Sequence, residues 1–273
     1  MNIYYLGPES SYSHLLVAKV FSQTDVLVAC NSFHDVVTSV QNDSQGVGAL
    51  AIENSISSSV HQTVDLLYNS NVCIVGEASM NIRMHLIGTT NSSVDSIHEI
   101  YSHPQALAQC SDYIAAHKLK SYETLSTSAA VQRIQEQNNT QIAAIGNMEL
   151  VDTINLKILK EDIANVPNNM TRWVFIAQQG IASLGTKINK LTYIFKVKHE
   201  PGSLVTVLTK IANLNGNLTK IESRPLPGTN WEYGFWIDVE IDEQMRWQFD
   251  DMMKEATLEC RCVGGYEKGK LFN

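Results

Sequence analysis

The sequence predicts an α/β protein in which a large domain is followed by a smaller unit with a different pattern. Three observations carry this prediction. The length of 273 residues favours two domains. Short apolar runs alternate with amphipathic stretches over the first 180 residues. From residue 191 onwards, apolar and polar side chains alternate along strand-like segments.

In the first part, the apolar runs have the length of strands, and the amphipathic stretches have the length of helices. The predicted strands cover 3–6, 26–30, 48–52, 73–80, 82–88, 97–103, 121–125, 141–145 and 157–160. The predicted helices cover 13–21, 32–41, 60–68, 104–117 and 127–137. Pro104 suits a first helical turn, where its missing N–H costs nothing. This alternation predicts mostly parallel sheets, whose ligands lie beyond the carboxyl ends of the strands.

Three hydroxyl-rich turns follow predicted strands and lead into predicted helices. They are the segments 5–13, 51–59 and 123–128. A helix N-terminus presents unpaired N–H groups and a partial positive charge, and Ser or Thr there either caps the helix or turns toward a ligand. Capping is the ordinary interpretation of one such turn. Three of them in one α/β chain favour a cleft that holds an anionic organic molecule.

The C-terminal part has the strand and helix order of a ferredoxin-like fold. The segment 181–190 lacks a strong pattern and is predicted to be a linker. The predicted strands that follow cover 191–198, 217–223, 233–239 and 258–266, and the predicted helices cover 203–214 and 242–257. The order β-α-β-β-α-β is the split motif of that fold. Such a unit needs only about 75 residues, which fits an accessory domain.

Composition argues against several classes of protein. A net charge of −8 is unlike that of a nucleic-acid-binding protein, which usually has a basic face. No apolar run approaches the ~20 residues of a membrane span, so we expect no membrane association. The five cysteines form no CxxC pair, and the N-terminus has no secretory leader pattern. We therefore expect a cytoplasmic protein with reduced thiols, no metal and no cofactor.

Five short motifs occur in a specific order along the first part. They are Gly7-Pro8-Glu9-x2-Tyr12-Ser13, Ile52-Glu53-Asn54-Ser55, His103-Pro104-Gln105-Ala106-Leu107, Ser126-Thr127 and Thr171-Arg172-Trp173. Together they resemble prephenate dehydratase. The C-terminal part is similar to the ACT regulatory domain usual in that family, through Pro201-Gly202-Ser203-Leu204-Val205 and Glu222-Ser223-Arg224-Pro225. The resemblance covers nearly the whole chain.

The resemblance implies a catalytic domain of two α/β lobes, like a periplasmic binding protein, followed by a ferredoxin-like ACT domain. We expect the catalytic domain at 1–180, the linker at 181–190 and the ACT domain at 191–273. Within the catalytic domain, lobe one is expected at about 1–76 and 170–180, and lobe two at about 77–169. The crossings between lobes are expected near 75–81 and 164–172. No chorismate mutase segment is recognisable, so we expect the monofunctional form.

The function implied is conversion of prephenate to phenylpyruvate, with loss of carbon dioxide and water, in L-phenylalanine biosynthesis. Phenylalanine is the implied allosteric inhibitor at the ACT domain, and a homodimer or homotetramer is the implied assembly. The sequence departs from the family pattern at Ser10-Ser11-Tyr12, Ala51, Trp173 and Ser203. Three alternatives remain open: an arogenate dehydratase, a catalytically inactive amino-acid sensor, and a non-catalytic ligand-binding protein.

Site residues are carried over from the family motifs. Thr171 is the implied catalytic hydroxyl, which hydrogen-bonds the leaving oxygen. The implied substrate-binding residues are Ser13, Asn54, Ser55, Ser126, Thr127, Arg172 and Trp173. The implied cleft-supporting residues are Glu53, His103, Gln105 and Asn169. The implied effector-binding residues are Pro201, Gly202, Ser203, Leu204, Val205, Glu222, Ser223, Arg224 and Pro225.

Other roles remain open for several of these residues. Each Ser or Thr at a helix start has capping as its alternative role. Glu53 and His103 are alternative acids, although a role in fixing the cleft is preferred for both. Neighbouring side chains on a strand face opposite sides, so Arg172 either clamps a substrate carboxylate or forms a structural ion pair on the face away from Thr171.

Overall fold

Three β-sheets organise the described part of the chain, which in this computed structural model comprises residues 1–148, 151, 155–225 and 233–272. The first stretch contains β1 (Asn2–Leu6), α1 (Tyr12–Val20), β2 (Val26–Cys30), α2 (Phe33–Asn42), β3 (Val47–Asn54), β4 (Ser58–Ser59), α3 (His61–Asn69) and β5 (Val72–Asn81). These strands all belong to one sheet, the N-terminal sheet.

The chain then crosses to a second sheet. This stretch contains β6 (His85–Thr89), a 3-10 turn (Val94–Ser96), β7 (Glu99–Ser102), α4 (Pro104–Gln109), α5 (Ser111–Ala116), β8 (Lys120–Glu123), α6 (Thr127–Gln137), β9 (Ile142–Gly146) and β10 (Leu156–Lys160). The strand order is β10-β6-β9-β7-β8. The next strand, β11 (Met170–Gln178), returns to the N-terminal sheet and lies between β3 and β5.

The remaining residues form a C-terminal unit. It contains β12 (Lys190–Lys196), α7 (Ser203–Asn213), β13 (Asn217–Pro225), β14 (Tyr233–Glu240), a 3-10 turn (Glu243–Met245), α8 (Arg246–Ala256), β15 (Glu259–Tyr266) and β16 (Lys270–Phe272). Strands β12 to β15 form the C-terminal sheet in the order β13-β14-β12-β15, the β-α-β-β-α-β arrangement that the sequence predicts. The last strand, β16, instead pairs with β5 of the N-terminal sheet.

Local sequence explains where several helices begin and end. Ser11, Ser32 and Ser126 are N-caps whose hydroxyls accept from the backbone N–H three residues on. Asn138 closes α6 in the left-handed conformation, with φ of 44°. Apolar side chains at helical spacing, such as Ala130, Val131 and Ile134, then bury one face of α6.

Three expectations about the fold are corrected. The sheets are mixed rather than mostly parallel, because β11 runs antiparallel to both of its neighbours after it returns. The predicted helix over 104–117 is interrupted at Cys110, so it forms α4 and α5. The first crossing lies after Asn81, because β5 stays in the N-terminal sheet beyond the expected limit at residue 76.

The C-terminal unit packs on the N-terminal sheet through a shared core. Trp236 and Ile194 of the C-terminal sheet are buried in the same apolar cluster as Leu50 and Val174 of β3 and β11. A separate cluster that includes Tyr193, Ile237 and Phe249 lies between the C-terminal sheet and its helices. Strand β11 therefore lies next to the C-terminal unit.

Along the described residues, no helix has the length and apolar character needed to cross a membrane.

Candidate active site

A cavity of about 320 Å³ lies between the N-terminal sheet and the helices of the second sheet. One wall comes from Tyr12, Ala51, Asn54, Ser57, Val60, Thr171 and Trp173. The opposite wall comes from His103, Gln105, Ala106, Gln109, Ser126 and Thr127, and Ile82, Met84 and Asn169 from the two crossings complete it. The structure thus brings Asn54, Ser126, Thr127, Thr171 and Trp173 of the predicted site together, with His103, Gln105 and Asn169.

Thr171 and Asn54 are directly opposed on the antiparallel strands β11 and β3. Asn54 Nδ2 donates to Thr171 Oγ1 over 2.9 Å. The amide orientation is fixed, because Asn54 Oδ1 accepts from the backbone N–H groups of Ile56 and Ser57, which can only donate. Since Asn54 supplies the proton of its bond to Thr171, that bond leaves the hydroxyl proton of Thr171 available to another acceptor.

Asn54 also contacts the end of the second crossing and the first residue of β11. Its Nδ2 lies 2.6 Å from Asn169 Oδ1 and 3.1 Å from the Met170 carbonyl oxygen. Ser55 Oγ accepts from the Met170 N–H over 2.9 Å. Ser55 is not part of the cavity wall, so its predicted substrate contact is corrected to a structural one. The hydroxyl-rich turn 51–59 leads into α3, as predicted, but the N-cap of that helix is Val60, which makes no side-chain cap bond.

The wall formed by the second sheet and its helices contributes the His103 imidazole and the side chains of Ser126 and Thr127, which all lie at helix starts. His103 is the N-cap of α4, and its Nδ1 accepts from the Gln105 N–H over 3.2 Å. The neutral ring therefore carries its proton on Nε2. Ser126 caps α6, and Thr127 is its first residue, so the positive end of an eleven-residue helix points at the cavity. Gln105 Nε2 donates to Ser57 Oγ over 3.2 Å, which joins the two walls.

Ser13 and Trp173 form a buried pair rather than two substrate contacts. The Trp173 indole N–H donates to Ser13 Oγ over 3.1 Å. Ser13 is only 8% exposed and lies outside the cavity wall, so its expected role as a carboxylate ligand is corrected. Trp173 itself lines the cavity on the same face of β11 as Thr171.

Arg172 faces away from the cavity, which corrects its assignment to substrate binding. Its guanidinium forms ion pairs with Glu53, Glu77 and Asp238 at 2.7, 2.7 and 2.5 Å. Burial disfavours the charge, but these carboxylates, Asp238 foremost, hold the pKa of Arg172 well above its ordinary value. Arg172 is not one of the residues that line the cavity. The alternative that the sequence left open, a structural ion pair, is confirmed.

Glu53 is held in its ionised form. Burial raises the pKa of Glu53, but the nearby Arg172 guanidinium and Lys220 ammonium outweigh this and hold it below the ordinary value of 4.5. A carboxylate that is ionised near neutral pH does not donate a proton, so Glu53 is not an acid of the cavity. Glu53 pairs with Arg172 directly behind Asn54 and Thr171, and its role in supporting the cleft stays a prediction.

Sequence reasoning missed three polar residues of the wall: Tyr12, Ser57 and Gln109. Tyr12 and Ser57 lie inside segments that the motifs already mark, and Gln109 follows Gln105 by four residues on the same helix face. The Tyr12 hydroxyl donates to the Arg83 carbonyl over 2.6 Å, across the first crossing. Among the described residues, those that line the cavity include no Lys, Arg, Asp or Glu, so their polar groups are neutral donors and acceptors and one imidazole.

A second cavity, of about 540 Å³, lies in the C-terminal unit. Pro201, Ser203 and Leu204 line it. Gly202 precedes α7 with φ of +87°, a conformation that favours glycine. Other residues of this wall are Lys196, Val197, Lys198, His199, Glu200, Tyr233, Phe235, Leu258 and Glu259.

Among the described residues, no three His, Cys, Asp or Glu side chains converge on a possible metal site.

The other predicted effector residues do not line this cavity in the single chain. Glu222 contacts His61 and Arg224 pairs with Asp65, so both side chains reach from β13 to α3 of the N-terminal part. Ser223 is exposed on the opposite face of β13. Val205 is largely exposed on α7, and Pro225, the last residue of β13, is also exposed. In the single chain these residues lie outside this cavity, and their role in effector binding stays a prediction.

Comparisons with known proteins agree with this arrangement of residues. The family described as prephenate dehydratase matches residues 3–181. The prephenate dehydratase of Methanocaldococcus jannaschii is 34% identical over 97% of both chains. A bifunctional chorismate mutase/prephenate dehydratase of Aquifex aeolicus is 30% identical over 99% of this chain and 75% of its own length.

Solved structures share the fold over nearly the whole chain. The prephenate dehydratase of Staphylococcus aureus has a TM-score of 0.87 at 26% identity, covering 98% of this chain and 100% of that one. A prephenate dehydratase of Arthrobacter aurescens in complex with L-Phe has a TM-score of 0.86 at 24% identity, covering 98% and 90%. With the family match and the archaeal relative, this identifies the chain as a member of the prephenate dehydratase family.

Proposed function

We propose that this chain converts prephenate to phenylpyruvate, carbon dioxide and water in the 320 Å³ cavity around Thr171. The observation that carries the proposal is the bond from Asn54 Nδ2 to Thr171 Oγ1, which leaves the threonine proton available inside the cavity of a family member. The volume suits a small organic molecule.

The reaction needs help for a leaving hydroxide. Prephenate carries a ring hydroxyl and a ring carboxylate at opposite carbons of a cyclohexadiene. As the bond to the carboxylate breaks, its electron pair enters the ring, the carbon–oxygen bond of the hydroxyl breaks, and the ring becomes aromatic. The released hydroxide takes one proton from the solvent and becomes water. Thr171 is too weak an acid for a separate proton transfer. Its hydrogen bond strengthens as the departing oxygen gains charge, and that difference accelerates the step.

Neutral groups hold the two carboxylates in this proposal. The N-terminus of α6, with Ser126 and Thr127, offers backbone N–H groups and a partial positive charge. On the same wall, Gln105 and the Nε2–H of neutral His103 are further donors. Trp173 supplies an apolar surface for the ring. Because the described residues of the wall include no Lys or Arg, each carboxylate is fixed by directed hydrogen bonds rather than by a point charge.

The proposal extends to domains and regulation. We assign the catalytic domain to about residues 1–180, as two lobes like those of a periplasmic binding protein, and the ACT domain to β12–β15. L-Phenylalanine would occupy the 540 Å³ cavity beside Gly202, where backbone groups approach closely, and would inhibit by binding a less active arrangement better. A cytoplasmic homodimer or homotetramer is part of the same proposal.

The test is a steady-state assay of phenylpyruvate formation from prephenate, with arogenate in parallel. Thr171→Val keeps the shape but removes the hydroxyl, and it should lower kcat by about 10²-fold or more. Thr171→Ser keeps the hydroxyl and should retain activity within about tenfold. Wild-type turnover that persists in Thr171→Val would remove Thr171 from the mechanism. Preference for arogenate would change the substrate, and no turnover of either would refute the proposed activity.

A further inference from the structure

A cluster of partly buried ion pairs lies behind the catalytic face of β11. It consists of Glu53, Glu77, Arg172, Lys190, Lys220 and Asp238. The N-terminal sheet contributes two carboxylates and one guanidinium, and the C-terminal unit contributes two ammonium groups and one carboxylate. Each part therefore contributes both cations and carboxylates, and ion pairs between the two parts join them. Isolated buried charge is costly, so the cluster favours one fixed arrangement of the two parts.

Asp238 is the most firmly held member that the C-terminal unit supplies. It is 1% exposed, and its Oδ1 accepts from Thr192 Oγ1 over 2.8 Å and from Trp236 Nε1 over 2.9 Å. Those two bonds direct the other oxygen, Oδ2, to Arg172 Nη2 at 2.5 Å. The position of the Arg172 side chain on β11 therefore depends on the position of β14.

Arg172 in turn lies next to the catalytic pair. It follows Thr171 in sequence. On the antiparallel strands β11 and β3, Thr171 pairs with Asn54, and the next pair is Arg172 with Glu53. Directly after Arg172, the register between β3 and β11 shifts. Such an irregularity loosens the ladder and allows side chains to be redirected. Three ion pairs hold the Arg172 side chain on the face of β11 that points away from the cavity. This keeps Thr171 and Trp173 on the cavity face.

We propose that Asp238, in the C-terminal unit, is a positioning residue for Thr171 that acts through Arg172. The inference rests on the proposed catalytic role of Thr171. Asp238 does not touch the substrate. It fixes Arg172, and Arg172 fixes the stretch of β11 in which the Thr171 hydroxyl meets Asn54 Nδ2. The C-terminal unit is therefore part of what aligns the catalytic hydroxyl.

The experiment compares Asp238→Asn with a matched control in the full chain. In Asp238→Asn, the amide oxygen still accepts from Thr192 and Trp236, while an N–H₂ group faces the donor of Arg172. The control, Asp65→Asn, breaks the ion pair of Asp65 with Arg224, which also joins the two parts but lies away from Arg172. Prephenate kinetics and thermal unfolding are measured for both.

We expect kcat of Asp238→Asn to fall by about tenfold or more while KM stays within about threefold, because alignment of Thr171 affects the transition state more than binding. Asp65→Asn should keep both parameters within about twofold. A merely structural Asp238 would lower the unfolding temperature and leave kcat of the folded enzyme unchanged. That result, or an equal fall of kcat in both variants, would overturn the inference.

A second variant covers the case in which Asp238→Asn does not fold. Glu77→Gln keeps one acceptor oxygen, at the position of Oε2, for both Arg172 and Lys190 but removes the charge, and it should lower kcat in the same selective way. Unchanged kcat in folded Glu77→Gln would then refute the inference. If the wild type itself does not turn over prephenate, the proposed function fails and the inference falls with it; normal wild-type turnover with unaffected variants refutes the inference alone.

Discussion

Asn54→Asp reverses the direction of the hydrogen bond at the proposed catalytic hydroxyl. In the wild type, Asn54 Nδ2 donates to Thr171 Oγ1, so the threonine proton is available to the substrate. A carboxylate at position 54 has no N–H to donate and instead accepts that proton. The loop geometry should survive, because the other side-chain oxygen still accepts from the N–H groups of Ile56 and Ser57.

The size of the effect follows from the bond that must be broken. A hydrogen bond from a neutral hydroxyl to a carboxylate contributes about 1.5–3 kcal/mol. Thr171 must give up this bond before it can serve the leaving oxygen, so kcat should fall by about 10- to 150-fold. The new oxygen also lies near Asn169 Oδ1, at the 2.6 Å separation of the present bond. Its charge repels a dicarboxylate, so KM should rise as well.

The assay is the formation of phenylpyruvate from prephenate, with Asn54→Ala as a second variant. Asn54→Ala removes both the donor and the loop acceptor, so it should lower the thermal stability more than Asn54→Asp does. Asn54→Asp should fold but turn over slowly. A folded Asn54→Asp enzyme whose kcat stays within about threefold of the wild type would show that the direction of this bond does not matter, and the reasoning would be refuted.

Three further predictions concern stability and regulation. Ser13→Ala and Trp173→Phe should each destabilise the protein by about 1–3 kcal/mol, and the double variant by less than the sum in chemical denaturation, because each single change leaves a buried polar partner unpaired. Burial opposes ionisation of Asp238, but Arg172 and Lys190 hold its pKa below the ordinary 3.8. Its stabilisation is thus present above that pH and is lost as the pH falls through the lowered value, so Asp238→Asn should lose less stability in acid titrations followed by circular dichroism. At Gly202, φ is +87°, so Gly202→Val should weaken L-phenylalanine binding in calorimetry with basal kcat unchanged.

Local pattern was sufficient for most elements of the fold. The helix predicted over 127–137 is observed as Thr127–Gln137, because its signals are adjacent in sequence: the Ser126 cap, the apolar stripe and Asn138 at the end. The helix predicted over 104–117 failed for a non-local reason. The N–H of Asn165 donates to the Gln109 carbonyl, and its side chain accepts from the Asp112 N–H, so a distant loop occupies groups at the break between α4 and α5.

The direction and register of β11 were also outside the reach of the local pattern. Alternation predicts which residues of a strand share a face, and it correctly separated Thr171 and Trp173 from Arg172. It does not say which strands are neighbours or in which direction they run. The pairing of Thr171 with Asn54 joins residues 117 apart, and only the return of the chain between β3 and β5 creates it.

The same limit explains why Arg172 attracted a substrate-binding assignment. An arginine beside the motif hydroxyl suits a dicarboxylate, and its partners Glu77 and Asp238 are far away in sequence. Their placement keeps the ion pairs away from the cavity. The described cations near β11 are paired behind the sheet, and the described residues that line the cavity provide neutral donors. A cation that bound both carboxylates equally before and during reaction would strengthen binding without raising kcat. In the proposed mechanism, directed neutral donors leave the growing charge on the departing oxygen as the main new electrostatic demand, which the Thr171 hydroxyl would meet.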